Sequence, residues 1–332
     1  MLGSNQLTAF YRSADGVVTH PADASSLKKA LADADGLVWV DLFARNEFDA
    51  AILSDPFDFH PLTIEDCLSS QVDPAKLDDH GEYLFIIVQA LTEYRPGEEL
   101  EAVEVDFYLG PNYVVSCHRE RVPAIEHFLE RCQRDEYIFT HSADWLLHGL
   151  VDALVDEYLP IVDAVDDTID SLEEMVLHHP EPHLLQQILL VKRNSLRLRR
   201  ATTPQRDIMN RLSRSEYPKL IREETEIYFR DVYDHLVRIE YLVEALRDLS
   251  DGALQTYLSV VSNRLNEVMK VLTAAAAVFL PITLIAGIYG MNFPSSSVWP
   301  RYDSNWGFEA VIGAIVVISL ALLAYFRYRR WI

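Results

Sequence analysis

Two long apolar stretches near the C-terminus dominate the hydropathy pattern of the chain. No charged residue occurs from Val271 to Tyr289, and none occurs from Ala310 to Phe326. A helix needs about 20 predominantly apolar residues to cross the hydrocarbon core of a bilayer. The pattern therefore predicts an integral membrane protein with spans over 268–290 and 308–327, an external loop over 291–307 and a basic tail over 328–332.

The first part of the chain, over 1–141, has the pattern of an α/β domain. Apolar and alternating runs predict strands over 37–42, 83–91, 103–109 and 113–117. The second of these runs is apolar on both faces, which is typical of a central strand. The turn Gly110-Pro-Asn112 predicts a hairpin between the last two strands. Helical spacing predicts helices over 25–34, 61–69 and 122–134, so we expect a mixed sheet covered by helices.

The next part, over 142–267, is expected to be a helical stalk. Helical periodicity runs over 146–177, then over 182–212, and then from about 219 to the turn at Gly290. A continuous helix of about 70 residues would be about 100 Å long. A helix of that length needs packing partners. Identical subunits around an axis would supply them, and would let the first span line a central pore.

One face of the first span is smaller and more polar than the opposite face. Its residues recur in steps of three and four and are Asn266, Met269, Thr273, Ala276, Leu280, Thr283, Gly287 and Met291. Small residues also permit close helix packing in membranes without any pore. The threonines and the amide of Asn266 favour a conduit. Because no charge lines this face, a divalent ion would pass with much of its hydration shell.

The span ends in Gly290-Met-Asn292, where it meets water on the far side. Gly290 can end the helix with a positive φ. The amide oxygen of Asn292 is an acceptor, and a ring of such oxygens could hold the first-shell waters of a cation without removing them. That arrangement suits Mg²⁺, which dehydrates reluctantly.

Acidic residues line one face of the helix predicted over 146–177. They are Asp152, Asp156, Asp163, Asp167, Asp170 and Glu174. A solvated face explains this pattern, and so does charge pairing with the basic helix that follows. The third reading is a surface for divalent cations, with Asp152 and Asp156 as additional metal ligands.

Charge and composition narrow the function classes. The formal charge of −22, from 51 acidic and 29 basic residues, argues against nucleic acid as a partner. It is compatible with attracting cations, although solubility alone would also explain it. The N-terminus lacks the pattern of a signal peptide, and Arg and Lys flank the cytoplasmic ends of both spans, so we expect both termini in the cytoplasm. The three cysteines have no metal-ligand spacing, and no enzyme motif is present.

These features together resemble the CorA family of divalent-cation channels, the two-transmembrane GMN transporters. The resemblance rests on four segments at the spans and the tail: 266–273, 281–283, 286–293 and 325–332. It extends upstream to four more: 60–66, 86–92, 152–156 and 228–235. It therefore covers nearly the whole chain.

The resemblance implies a homopentameric funnel in a cell membrane that takes up Mg²⁺ and Co²⁺ down the electrochemical gradient. It implies a selectivity filter at Gly290, Met291 and Asn292. It implies pore constrictions at Met269, Leu272, Leu280 and Thr283, with Asn266 at the inner mouth. It also implies regulatory Mg²⁺ sites between subunits, formed by Glu65 and Asp66 of one subunit and Asp231 of its neighbour.

One departure from the family pattern leaves the transported ion open. Magnesium-selective members commonly carry an acidic Met-Pro-Glu-Leu after the signature, whereas the only acid in the loop here is Asp303. Competition by Co²⁺, Ni²⁺ or Zn²⁺ is therefore open. The alternatives are a zinc transporter of the ZntB branch, with or without proton coupling, and a membrane protein that no longer conducts. Met291 favours the magnesium branch, because the zinc branch usually replaces it.

Overall fold

The computed structural model describes residues 7–21, 23–43, 47–290, 306–329 and 331. The chain forms two compact units. The first contains Met1–Met175 and Glu181–Leu254, and the second contains Val176–Pro180 and Gln255–Ile332. The division of the chain into functional domains predicted above stays a prediction.

The first unit is built on a seven-stranded mixed sheet. Its strands are β1 (Leu7–Arg12), β2 (Val18–Thr19), β3 (Leu37–Phe43), β4 (Lys76–Asp79), β5 (Leu84–Leu91), β6 (Ala102–Leu109) and β7 (Tyr113–His118). Their order is β2-β1-β3-β7-β6-β5-β4, and β3 with β7 is the parallel pair. All eight residues of β5 are buried, as expected for a strand with helices on both faces. The predicted hairpin between β6 and β7 is present.

Helices cover both faces of this sheet. The shorter helices are α1 (Ala24–Leu31), α2 (Glu47–Ser54), α3 (Pro61–Leu68) and α4 (Pro123–Arg134). Leu27 of α1, Leu53 of α2 and Cys67 of α3 belong to the buried cluster on one face. On the other face, the ring of Phe128 from α4 meets that of Trp39 edge-on at 5.5 Å. The α/β fold with a mixed sheet is therefore as predicted.

The remaining helices are long. They are α5 (Ala143–Asp156), α6 (Tyr158–His178), α7 (Pro182–Leu212), α8 (Glu223–Gly290) and α9 (Gly307–Tyr328). The single helix predicted over 146–177 is wrong, because the chain breaks at Glu157. Pro160 lacks an N–H and its ring would clash with the carbonyl of Asp156, which accounts for the break.

The 68-residue helix α8 runs without interruption through Gly252 and Pro281. Its start differs from the prediction, since it begins at Glu223 rather than near Lys219. The buried carboxylate of Asp144 accepts the N–H of Arg222 at 2.8 Å and fixes the chain just before this helix.

The charge pairing expected between the acidic and basic helices is not found among the described residues. The basic residues of α7 pair with α8 instead, where Lys192 Nζ lies 2.5 Å from Asp251 and Arg206 contacts Glu240. They also pair with the segment before β6, where Arg197 lies 2.6 Å from Glu99. The acids of α6 therefore need another explanation, and solvation of an exposed face supplies one.

Candidate functional site

Two helices, α8 and α9, are apolar and long enough to cross a membrane. Their most apolar 18-residue windows have mean hydropathies of 2.3 and 2.4. Only 6 % of each window is buried in the single chain, whereas the core helix of a soluble protein would be mostly buried. These surfaces therefore require lipid or neighbouring subunits.

The residues predicted to line a pore lie on one exposed face of α8. They are Asn266, Met269, Leu272, Thr273, Ala276, Leu280, Thr283 and Gly287, and each is exposed. The other side of the helix is more covered, since Ala274 is buried and Val278 and Ile282 are half-buried. The predicted pore face is therefore the more exposed face of this helix.

The middle of this face is an open groove with few polar groups. Ala276, Leu280, Thr283 and Gly287 line it. The hydroxyl of Thr283 donates to the carbonyl of Phe279 at 2.9 Å. Because its hydrogen is used within the helix, the Thr283 oxygen presents only acceptor lone pairs outward, which suits a hydrated cation.

The N-terminal end of the apolar stretch carries a polar recess. Asn266, Met269, Lys270 and Thr273 line it together with Trp331 from the C-terminal tail. The indole of Trp331 stacks on Phe326 at 5.5 Å between ring centroids. The end of α9 thus lies beside the start of the apolar part of α8, so the two helices run in opposite directions. The end of α8 that carries Lys270 and the end of α9 that carries Arg327 therefore lie on the same side of the apolar region.

The predicted filter begins at the last residue of α8. Gly290 ends that helix. Met291 and Asn292 lie outside the described residues, so their role stays a prediction.

A second candidate site consists of potential metal ligands from α5 and α8. Asp152 and Asp156 lie one helical turn apart on α5, and His235 comes from α8. One ligand atom of each lies within 4.8 Å of the others. Asp231, one turn before His235, places a carboxylate oxygen 3.9 Å from its Nε2. Burial raises the pKa of Asp152, and the neighbouring charge of Asp156 raises it further.

Sequence reasoning missed the histidine contribution to this cluster. Besides His235, His148 lies one turn before Asp152 on α5, and its Nδ1 is buried with no hydrogen-bond partner in the part of the chain that the structure describes. Burial lowers the pKa of His148 to about 4, so its imidazole is neutral at physiological pH. The spacing His148-x₃-Asp152-x₃-Asp156 was the available signal, because residues four apart share a helix face.

The third set of predicted ligands, Glu65 and Asp66, lies on α3. Glu65 is exposed, and Asp66 is half-buried. Lys76 Nζ on β4 lies 2.7 Å from the Asp66 carboxylate and 3.4 Å from that of Asp78. In the single chain, therefore, a lysine neutralises Asp66. The predicted approach of Asp66 to Asp231 is one between subunits, and it stays a prediction.

Comparison with known proteins gives consistent results. The sequence model of the family described as "CorA-like Mg2+ transporter protein" matches residues 34–330. The chain is 40% identical over 277 residues to the cobalt/magnesium transport protein CorA of Thermotoga maritima, covering 83% of this chain and 78% of that protein. It is 23% identical over 309 residues to the zinc transport protein ZntB of Yersinia enterocolitica, covering 91% of this chain and 90% of that protein.

The fold has a match of full length among solved structures. The complete structure of the CorA magnesium transporter from Methanocaldococcus jannaschii aligns with a TM-score of 0.83, and the alignment covers 100% of both chains. Because the sequence identity is 19%, this match shows a shared fold and nothing more. That fold contains the mixed sheet, the long helix and the two apolar C-terminal helices described above.

Proposed function

We propose, from the premise that this chain belongs to the CorA family of divalent-cation transporters, that it is a channel through which Mg²⁺ and Co²⁺ enter the cytoplasm. The observation that carries the proposal is the exposed face of α8. This face is uncharged from Thr273 to Gly287 and presents hydroxyl and small apolar groups. Such a surface neither traps a divalent ion nor replaces its waters, so it suits the passage of a hydrated Mg²⁺.

Assembly around an axis would close this face into a pore. The exposed fractions of Met269, Leu272 and Leu280 are 50%, 60% and 69%, which is costly unless lipid or protein covers them. In a homopentamer these three residues would form the narrow apolar neck, and such a neck can gate by losing its water. Asn292 of each subunit would hold the hydrated ion at the external mouth.

Orientation and driving force follow from the charges. With Lys270 and Arg327 on one side, the positive-inside rule favours a cell-membrane protein with both termini in the cytoplasm. An inward-negative potential of about 100 mV favours entry of a doubly charged ion by about 4.6 kcal/mol. The proposed channel therefore requires no nucleotide.

Regulation by internal Mg²⁺ would use the carboxylates of the first unit. Carboxylates of adjacent subunits repel one another, and a bridging Mg²⁺ converts this repulsion into attraction. Glu65 and Asp66 of one subunit would share such an ion with Asp231 of the next. Asp152 and Asp156 would supply further oxygen ligands near Asp231. High internal Mg²⁺ then favours the closed assembly.

The test is cation flux into liposomes that contain the purified full-length protein. Mg²⁺ entry should follow the membrane potential, and Asn292→Ala should abolish it while the oligomer remains intact. Asn210→Ala removes the same amide from α7, outside both apolar helices, and it should conduct normally. Wild-type flux through Asn292→Ala would refute the filter assignment, and liposomes impermeable to every divalent ion offered would refute the channel.

A second candidate function is zinc transport. It is favoured by His235 within the ligand group on α5 and α8, since imidazole suits Zn²⁺ better than Mg²⁺. The family also includes relatives named as zinc transport proteins. Zn²⁺ flux that depends on a pH gradient, with little Mg²⁺ flux in the same liposomes, would decide for this function.

A further inference from the structure

A pocket in the first unit is lined by none of the cation ligands considered so far. It has a volume of about 490 Å³ and opens beside the chain that follows α3. Five of the side chains that line it carry oxygen atoms that could bind a cation or its waters: Ser69, Ser70, Gln71, Glu104 and Asp106. The thiol of Cys67 also reaches it.

The most informative group in this pocket is the carboxylate of Asp106. The residue is 3% exposed, and its Oδ1 has no hydrogen-bond partner among the residues that the structure describes. Asp106 is held there by β6, where it pairs with Cys117 of β7, so its side chain points to the sheet face that α3 covers. A buried carboxylate oxygen without a partner is unfavourable and requires a proton, a water or a cation.

The surroundings of Asp106 are acidic. Glu104, two residues earlier on the same strand, faces the same side, and its carboxylate accepts the backbone N–H of Asp73. Burial raises the pKa of Glu104 to about 7; the hydrogen bond from the Asp73 N–H opposes this rise, whereas the charges of Asp73 and Asp66 add to it. Burial likewise raises the pKa of Asp106, and the nearby charge of Glu104 raises it further.

The basic groups around the pocket have other partners. His118 contacts the Asp41 carboxylate at 3.4 Å and the carbonyl of Glu120 at 2.6 Å. The guanidinium of Arg119 donates to the carbonyl of Leu68. The pocket thus combines two carboxylates, nearby acidic residues and a buried carboxylate oxygen that has no hydrogen-bond partner among the described residues.

We propose that this pocket is a divalent-cation site within one subunit, for an ion of the Mg²⁺ and Mn²⁺ class. Asp106 and Glu104 are its carboxylate ligands. The ion keeps several waters, which the hydroxyls of Ser69 and Ser70 and the amide of Gln71 can hold. Mg²⁺ is commonly bound in this way, by one or two carboxylates and retained water. The site neither needs a neighbouring subunit nor uses Asp66, whose carboxylate pairs with Lys76.

The first test counts bound Mn²⁺ per chain by electron paramagnetic resonance, with full-length protein in nanodiscs. Asp106→Asn should bind one ion fewer per chain than the wild type. Glu104→Gln changes a less buried residue and should lower the Mn²⁺ affinity of the same site about tenfold or more. This variant replaces Asp106→Asn in the test if Asp106→Asn does not fold. The control is Glu101→Gln, because Glu101 is exposed and its hydrogen bonds to Thr92 use backbone atoms. An unchanged ion count and affinity in both variants would overturn the proposal and leave the pair as carboxyls sharing a proton.

The second test locates the ion without any substitution. Crystals of the wild-type protein grown with Mn²⁺ should give an anomalous difference peak between Glu104 and Asp106, and excess Mg²⁺ should remove it. Mn²⁺ peaks at the other carboxylate clusters with none in this pocket would refute the site. Neither test depends on transport, so a failure here is distinguishable from a failure of the channel proposal.

Discussion

The lysine that pairs with Asp66 should compete with the proposed regulatory Mg²⁺. Lys76 Nζ lies 2.7 Å from Asp66 and 3.4 Å from Asp78, and it also sits 5.5 Å from the centre of the Phe85 ring. A Mg²⁺ ion that bridges Asp66 to a neighbouring subunit must displace this ammonium group. Replacing Lys76 by methionine keeps most of the apolar stem over Phe85 and removes the competitor.

The size of the effect follows from the exposure of the pair. The side chains of Lys76 and Asp66 are 39% and 29% exposed, so solvent screens much of their attraction. Exposed pairs contribute up to about 1 kcal/mol, which corresponds to about a fivefold change in an equilibrium constant. The variant Lys76→Met should therefore need about fivefold less Mg²⁺ to reach the closed assembly. Removal of the lysine also leaves Asp66 and Asp78 unscreened from each other, which adds to this preference.

Limited proteolysis of the full-length protein over a Mg²⁺ series measures this change. The readout is the Mg²⁺ concentration that gives half-maximal protection of α8. Lys28→Met is a matched control, because Lys28 also lies 2.7 Å from an aspartate, Asp55, and neither residue belongs to a proposed cation site. An unchanged midpoint for Lys76→Met would refute the idea that a cation replaces Lys76 at Asp66, and so would an equal shift in the control.

Three further changes test other parts of the structure. Leu280→Gly should raise Mg²⁺ flux severalfold at high internal Mg²⁺, because it admits water to the apolar neck. Val316→Gly on α9 should leave the flux unchanged, and equal flux in both variants would contradict a gate at Leu280. His235→Ala should weaken Co²⁺ binding about tenfold and Mg²⁺ binding less, because imidazole is a better ligand for Co²⁺; titration calorimetry checks this, and equal losses would exclude His235 as a ligand. Burial lowers the pKa of His118, but the hydrogen bond and charge of Asp41 outweigh it and leave the pKa raised. The stability from this pair is then complete below about pH 6.5 and is lost as pH rises through the higher pKa of His118 in the folded state. The melting temperature of His118→Gln should therefore lose this part of its pH dependence. A pH dependence equal to that of the wild type would refute the pairing.

The sequence predicted well those elements whose own hydrophobic pattern matches their burial in the fold. The run that forms β5 is apolar except for Gln89, and it is buried throughout. The strands that were missed include β4, whose residues Lys-Leu-Asp-Asp bury only Leu77. It lies at the edge of the sheet, where charged side chains and short strands are common because they discourage pairing with other chains. Such a strand is defined by its neighbour rather than by its own hydrophobic pattern.

The break between α5 and α6 illustrates a different limit. Pro160 stands in the first turn of α6, a position where proline is compatible with a helix. The sequence therefore allows either a kinked helix or two helices. Packing decides between them, because Tyr158 is fully buried beside the break, and its hydroxyl donates to the carbonyl of Gln89 at 2.7 Å.

The proposed cation ligands on α5 and α8 show why half of a candidate site can be found from sequence and the other half cannot. Helix periodicity brings Asp152 and Asp156 together, and it brings Asp231 and His235 together, because each pair is four residues apart. Nothing in that periodicity states that one pair faces the other, since the rotation of α5 and α8 about their axes is set by the apolar residues between them. Phe229, Val232 and Leu236 of α8 are completely buried and fix that rotation. The two pairs meet because apolar packing holds like charges at close range, and a divalent cation would relieve such an arrangement.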